Sequence, residues 1–117
     1  MTAPVTLARF TCAIHVSHSP SITRADGLFT VERHHIHPLE FDGPNVAANL
    51  IYLCPTSHTG VHELLRHMIK NAGVAEWRIR QHYGPAERAL AAEGYRRIEA
   101  AQLVPVALER VLAAEAA

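Results

Sequence analysis

The sequence predicts an α+β domain in which a two-stranded antiparallel hairpin packs on a helix and further helices follow. Three observations lead to this class. Two short runs of β-forming residues flank a turn-rich segment. The next segment changes to helical periodicity, and the remainder has a helix-favouring composition. The chain has 117 residues, which suits a single domain spanning residues 1–117.

The hairpin is predicted from two extended segments and the turn chemistry between them. The first strand is expected from about Leu28 to His34, where residues 29–31 favour extended backbone. The second is expected over the apolar run from Asn49 to Cys54. Between them, residues 42–45 read DGPN, in which glycine supplies positive φ and proline fixes its own. We therefore expect antiparallel pairing across a long loop.

The helices are predicted from apolar spacing and from start and stop residues. One helix face collects Val61, Leu64, Leu65, Met68 and Ile69. Thr56 or Ser57 is expected to cap its start, and Gly73 to close it. Pro85 and Pro105 each stand where a first helical residue is favoured, so two further helices are expected.

The charge balance limits the partners that the chain can have. Lys and Arg total 11 against 11 Asp and Glu, so the net charge is zero. A non-specific DNA binder usually carries a basic surplus, so any nucleic-acid affinity should be centred on a site. No leader peptide or membrane-length apolar run is evident, which predicts a cytoplasmic protein without membrane association. Cys12 and Cys54 are then expected as thiols or ligands rather than a disulfide.

A histidine cluster is the strongest functional signal. Five of the nine histidines lie within residues 33–62: His34, His35, His37, His58 and His62. His58 and His62 are four residues apart, which places both on one helix face as a bidentate metal site. Consecutive strand residues face opposite ways, so His34 and His35 can serve one site only where the strand ends. Pro38 favours such an ending.

The chemistry of such a cluster follows from its donor atoms. Three neutral imidazoles leave coordination positions for water and a phosphate oxygen. Their softness suits Zn²⁺, Mn²⁺ or Ni²⁺ better than Mg²⁺. A fourth imidazole can act as a base, because a free imidazole titrates near pH 6.5. A lone histidine is more often structural than functional, but the whole set in this order is far more specific.

The residues HHIHP, Asn49 and HTGVH resemble the motif of HNH endonucleases, the ββα-metal or His-Me finger superfamily, in its phage and actinobacterial type. The intervals of fourteen residues from His35 to Asn49 and nine from Asn49 to His58 suit that motif. The likeness covers residues 12 to about 66. It implies an HNH core over about 12–72 and a helical C-terminal extension over about 74–117.

The resemblance implies three ligands for a single divalent ion: His34, His58 and His62. It implies His35 as the general base and Asn49 as the residue that pins the loop and orients that base. Glu32 matches an acidic position in part of the family. The implied activity is metal-dependent hydrolysis of DNA, leaving a 5′ phosphate and a 3′ hydroxyl. The implied setting is a bacterial or phage-infected cell, where phage relatives often act beside a terminase in DNA packaging.

The chain departs from the family in its second expected metal site. Many phage relatives hold a structural zinc with two CxxC pairs. Here the first pair reads Cys12-Ala-Ile-His15 and the second Cys54-Pro-Thr-Ser57. Serine is a poor zinc ligand, so a four-ligand site lacks a member unless His18 replaces it. A three-ligand zinc on Cys12, His15 and Cys54, or no structural zinc, are the remaining options.

Two other functions stay open on the sequence. One is a non-catalytic, zinc-stabilised module that binds nucleic acid or protein, and the other is an RNase of the same fold. His37 is expected as an incidental loop residue, and Trp77 and Tyr83 as packing anchors. Gly60, between the two helix histidines, is expected either where DNA backbone or the opposite strand approaches closely or as a tolerated surface glycine. Arginines and glutamates interleave in the second half, which favours solvated helix faces.

Overall fold

The computed structural model describes residues 31–117. Six elements follow one another there: β1 Glu32–His35, β2 Leu50–Leu53, α1 Pro55–Lys70, α2 Trp77–Arg80, α3 Pro85–Ala100 and α4 Val104–Ala116. The predicted order of strand, strand, helix and C-terminal helices is confirmed, and the class is α+β. Residues 28–30, where the first strand was expected to begin, lie outside the described part.

The hairpin is antiparallel, and β1 ends at the histidine pair. His34 lies opposite Ile51 and His35 opposite Leu50. Beyond the strand, the Ile36 N–H donates to the Asn49 carbonyl at 2.9 Å. The connecting loop (residues 36–49) contains two short 3-10 turns and a left-handed Asp42 with φ of 64°. The loop is therefore closed at its base by a ladder-like bond.

Helix α1 begins earlier than the sequence predicted. Pro55 is its first residue, and neither Thr56 nor Ser57 caps it through a side chain. A proline at the first position lacks one of the N–H groups that would be unpaired there, and its fixed φ suits a helix start. Ser57 is instead buried in the first turn, where its hydroxyl lies 3.3 Å from the Cys54 thiol. The predicted closure at Gly73 is confirmed, since its N–H donates to the Met68 carbonyl with φ of 90°.

One core joins the hairpin, α1 and the C-terminal helices. The five apolar residues predicted for the inner face of α1 are all buried. Helices α3 and α4 meet them with Ala91, Ile98, Ala107 and Val111, also buried. Burying each large aliphatic side chain contributes about 1.5–3 kcal/mol. The extension is therefore part of the same folding unit as the histidine-bearing elements.

The charged residues on the helix surfaces lie as the sequence predicted, whereas the single tryptophan does not. Arg96 and Arg97 both pair with Glu93 on α3, as expected for a solvated face. Trp77 is 66% exposed, so its predicted anchoring role is wrong. It opens the single-turn helix α2, from which Ile79 rather than Trp77 packs against the core. No helix within residues 31–117 is long and apolar enough to span a bilayer.

Candidate metal centre

Three imidazoles from two elements meet at one edge of the hairpin. His34 comes from β1, and His58 and His62 come from the first turns of α1. One ring nitrogen from each lies within 4.8 Å of the others, and this is the single such group found in residues 31–117. Ring centroids are 4.7–5.3 Å apart. The strand and the helix spacing thus bring together three side chains assigned to one site by sequence.

His34 has no hydrogen-bond partner in the described part of the chain. The residue is fully buried, and neither of its ring nitrogens is bonded. A neutral imidazole has one N–H and one lone pair, and leaving each buried and unpaired costs about 1–3 kcal/mol. A cation held by the other two imidazoles would satisfy the lone pair. This unpaired group is the observation that best fits a bound ion.

The electrostatics keep the imidazoles of His34 and His62 neutral. Burial, followed by the neighbouring imidazoles of His62, His58 and His35, lowers the pKa of His34 to about 3. Burial, followed by His58 and Arg66, lowers the pKa of His62 to about 4 against the opposing effect of Glu32. Both rings are therefore deprotonated at neutral pH, which is the form that binds a cation.

A carboxylate fixes the orientation of His58. Its Nδ1 lies 2.9 Å from Glu32 Oε1. Because an ionised carboxylate only accepts, Nδ1 carries a proton, and Nε2 is the ring nitrogen that faces the other imidazoles. That Nε2 shares a hydrogen bond of 3.0 Å with His62 Nε2. Nitrogens bound to one tetrahedral zinc at 2.0–2.1 Å would be about 3.3 Å apart, so little movement separates the pair from ligation.

His62 has a more distant acidic neighbour. Its Nδ1 lies 3.9 Å from Glu40 Oε1, and Arg66 approaches the same carboxylate at 3.5 Å. The three imidazoles thus form a group that could hold a metal ion, with carboxylates behind two of them. Outer carboxylates of this kind raise the basicity of histidine ligands and fix their tautomers.

A groove of about 250 Å³ opens beside the imidazoles. Its lining residues are Arg33, His35, Pro38, Leu39, Glu40, His58 and His62. His35 Nε2 lies 2.9 Å from Asn45 Oδ1, an acceptor, so Nε2 carries the proton and Nδ1 holds the lone pair. Arg33 and His35 are two residues apart in β1 and share a face. The groove therefore offers a cation and a proton acceptor next to the three rings.

Asn49 is the structural centre of the connecting loop. The side chain is 2% exposed and makes four hydrogen bonds. Its Nδ2 donates to the carbonyls of His37 at 2.9 Å and Pro44 at 2.8 Å. Its Oδ1 accepts from the His37 N–H at 2.8 Å and from Arg97 Nη1 at 3.3 Å. The amide thus ties together the two ends of the loop that follows His35.

His37 has a structural role that the sequence analysis did not give it. It is buried, and its Nε2 donates to the Phe41 carbonyl at 2.6 Å. The expectation of an incidental loop residue is therefore wrong, because the loop folds back over this ring. Gly60 faces away from the imidazoles, toward the Tyr83 ring, which a Cβ would meet at 3.4 Å. The atoms nearest to that Cβ belong to Tyr83 and Glu87 rather than to the opposite strand, and the approach of DNA backbone stays a prediction. Tyr83 packs against the core as predicted.

The expected structural zinc falls largely outside the described residues. Cys12 and His15 lie in that part of the chain. Cys54 is buried next to Ser57, within residues 31–117. The zinc therefore stays a prediction.

Three polar residues of the site were missed from the sequence: Arg33, Asn45 and Arg97. Arg33 directly precedes the histidine pair, and this adjacency was an available signal. Asn45 is the last residue of the DGPN segment, whose composition indicates only a turn. Arg97 is 48 positions from Asn49, so no local pattern links them.

Comparison with known proteins gives no relative: no family model, curated protein or solved structure matches the chain.

Proposed function

We propose that the chain is a metal-dependent endonuclease of the ββα-metal (HNH) type that hydrolyses DNA phosphodiester bonds. One observation carries the proposal. Three imidazoles converge within 4.8 Å while His35, next to the buried His34, lines the adjoining groove with its Nδ1 lone pair available. A purely structural site needs the first feature but not the second.

Several side chains of the protein have separate roles in the proposed hydrolysis. His35 Nδ1 accepts a proton from the attacking water, and Asn45 holds the ring through Nε2. Asn49 fixes the loop that carries Asn45. Arg33 brings positive charge to a non-bridging phosphate oxygen from the groove wall. A divalent ion on His34, His58 and His62, whether Zn²⁺, Mn²⁺, Ni²⁺ or Mg²⁺, would neutralise charge on the phosphate and the departing oxygen.

The proposed reaction conserves atoms and charge. The water oxygen forms a bond to phosphorus, its proton passes to His35, the bond from phosphorus to the 3′ oxygen breaks, and the departing 3′ oxygen takes a proton from solvent water. The products are a 5′ phosphate and a 3′ hydroxyl. Double-stranded DNA is the proposed partner, in the cytoplasm of a bacterial or phage-infected cell, with a packaging terminase as a further candidate partner.

Plasmid cleavage tests the proposal. Supercoiled DNA is incubated with the protein and Mg²⁺, Mn²⁺, Ni²⁺ or Zn²⁺ in turn. We expect His35→Ala to lower the cleavage rate by about 100-fold or more, the usual scale of general base catalysis, and to leave metal affinity within threefold. His62→Ala should lower both. His67→Ala is the matched control, since His67 lies on α1 but its imidazole contacts the Asn71 side chain instead.

Two outcomes would reject parts of this scheme. If His35→Ala cuts as fast as the parent, His35 is not the base. If the parent cuts no DNA with any of the four ions, the DNase proposal fails. An RNA substrate in the same assay then decides the RNase alternative.

The non-catalytic alternative also has an observation in its favour. His34 is wholly buried, as a ligand of a folding-linked zinc would be. A module of that kind would bind its partner equally well with His35 replaced. Binding of a labelled duplex to His35→Ala, combined with an absence of cleavage by the parent, would support it.

A further inference from the structure

We propose that the C-terminal helices hold the connecting loop in its active arrangement, with Arg97 as a positioning residue for His35. The catalytic part of this inference rests on the proposed nuclease function. Three contacts carry it, one each from Gly94, Arg97 and Arg110. All three come from α3 or α4, and none comes from the hairpin or α1.

Gly94 lets helix α3 lie directly on the first residue of the loop. A Cβ at this position would sit 2.7 Å from the Ile36 carbonyl oxygen and 3.2 Å from a Leu65 methyl group. Ile36 follows His35, and its N–H is bonded to the Asn49 carbonyl. Glycine in a helix interior costs about 0.5–1 kcal/mol relative to alanine. At Gly94 the absence of a side chain lets the helix backbone approach the loop backbone closely, next to His35.

Arg97 completes the hydrogen bonding of Asn49. The asparagine side chain has two donors and two principal acceptor positions, and the loop backbone occupies only three of the four. Arg97 Nη1 donates to Oδ1 at 3.3 Å, while its Nε is held by Glu93 at 2.9 Å. The guanidinium can donate but never accept, so it also favours the amide orientation with Oδ1 facing α3.

Arg110 holds the middle of the loop. Its Nη1 donates to the Glu40 carbonyl at 2.8 Å and to Asp42 Oδ1 at 2.9 Å. Asp42 is the left-handed residue at the turn, with φ of 64°. The Glu40 carboxylate approaches His62. Through Arg110, helix α4 therefore holds the loop backbone that places the Glu40 carboxylate near His62.

These contacts bear on His35 because the loop supplies its partner. Asn45, which sets the tautomer of His35, lies one residue beyond Pro44, whose carbonyl Asn49 holds. A displacement of Asn49 would therefore move Asn45 and the ring it orients. Loops of this length are ordinarily mobile unless something outside them fixes them. Here the extension supplies that restraint from residues far along the chain.

A matched pair of arginines provides the kinetic test. Arg96 and Arg97 both pair with Glu93, but only Arg97 bonds to Asn49. We expect Arg97→Ala to lower kcat about tenfold, the scale of one charge-assisted hydrogen bond, with KM and Ni²⁺ affinity changed less than twofold. Arg97→Lys should restore part of the rate, and Arg96→Ala should match the parent. Equal kcat values for Arg96→Ala and Arg97→Ala would overturn the positioning role.

A second readout does not depend on nuclease activity. In the ¹⁵N-labelled full chain, hydrogen exchange of the Asn49 side-chain amide is compared with that of the Leu64 and Leu65 backbone amides. We expect Arg97→Ala to speed the Asn49 exchange about tenfold relative to those core amides, and Arg96→Ala to leave it unchanged. If the parent protein cuts nothing, the proposed function falls but the exchange result still decides whether Arg97 holds the loop. Identical exchange in both variants would reject that hold.

Discussion

The two halves of helix α1 divide the metal-site residues and most of the apolar core between them. The first half, Pro55–His62, carries a proline, a glycine and several hydroxyl residues, the two histidines that face the groove, and one buried aliphatic residue, Val61. The second half, Glu63–Lys70, supplies four buried apolar residues: Leu64, Leu65, Met68 and Ile69. The first half has weak intrinsic helix propensity, so core packing, mainly by the second half, holds the histidines in place. The binding chemistry and most of the packing stability therefore lie in different parts of one helix.

The largest expected effect is a loss of metal affinity when a histidine of the first half of α1 is replaced. His62→Ala should weaken Ni²⁺ or Zn²⁺ binding several hundred-fold, because roughly 10–16 kcal/mol is shared among the ligands of a zinc site. The side chain is 25% exposed, so metal-free stability should change by less than about 1 kcal/mol. Competition with a chromophoric chelator measures the first quantity and urea unfolding the second. Unchanged affinity would mean that the imidazoles do not share an ion.

The converse result is expected in the second half of the helix. Leu64→Ala should cost about 2–5 kcal/mol of unfolding free energy, since the residue is fully buried. Metal affinity of the folded fraction should stay within a few-fold of the parent. Urea titration in the presence of a chelator gives the stability. A large loss of affinity at full stability would show that the two halves are not separable.

The pH dependence of the metal-free protein should report His34. Its pKa is about 3 when folded and 6.5 when free, so the unfolded chain takes up a proton first as pH falls. Stability is therefore complete above pH 6.5 and decreases as pH is lowered toward 3. Between pH 6.5 and 5 the loss from this group should be about 1–2 kcal/mol. Urea midpoints measured across this pH range for the parent and for His34→Leu, which has no imidazole at this position, give the contribution of His34. If both proteins lose stability in parallel as the pH falls, His34 is not the group responsible.

The smallest effect is expected at Gly60, in the first half of α1. An added Cβ would meet the Tyr83 ring at 3.4 Å, an ordinary contact. Gly60→Ala should therefore raise stability by about 0.5–1 kcal/mol through helix propensity and leave metal affinity unchanged. Thermal unfolding and chelator competition provide the measurements. A loss of stability would indicate that Tyr83 cannot shift.

The order of strands and helices could be predicted from the sequence because the spacing of apolar residues that indicates each element lies within a short segment. The i, i+4 spacing of His58 and His62 and the apolar stripe of α1 each lie within a few turns. The start of α1 differs from the prediction because the helix begins at Pro55 with no side-chain cap, whereas Thr56 and Ser57 are residue types that commonly cap a helix. The prediction for Trp77 is wrong because a large aromatic ring is often, but not always, buried.

The site was only partly predictable because its decisive features are tertiary. That imidazoles from residues 34, 58 and 62 approach one another follows from the hairpin-plus-helix order. The complete burial of His34 does not, since it depends on how α1 covers β1. Nor do the contacts of Arg97 and Arg110, which cross 48 and 68 positions to the loop. Such pairings have no signature in a single sequence.

The unpaired ring of His34 has a consequence for the life of the protein in a cell. Any ion that binds the three imidazoles stabilises the folded chain over the unfolded one in proportion to the logarithm of its free concentration. The metal-starved form would unfold more often and present more cleavable backbone to proteases. Steady-state abundance of this protein would then rise and fall with metal supply, independently of how strongly its gene is transcribed.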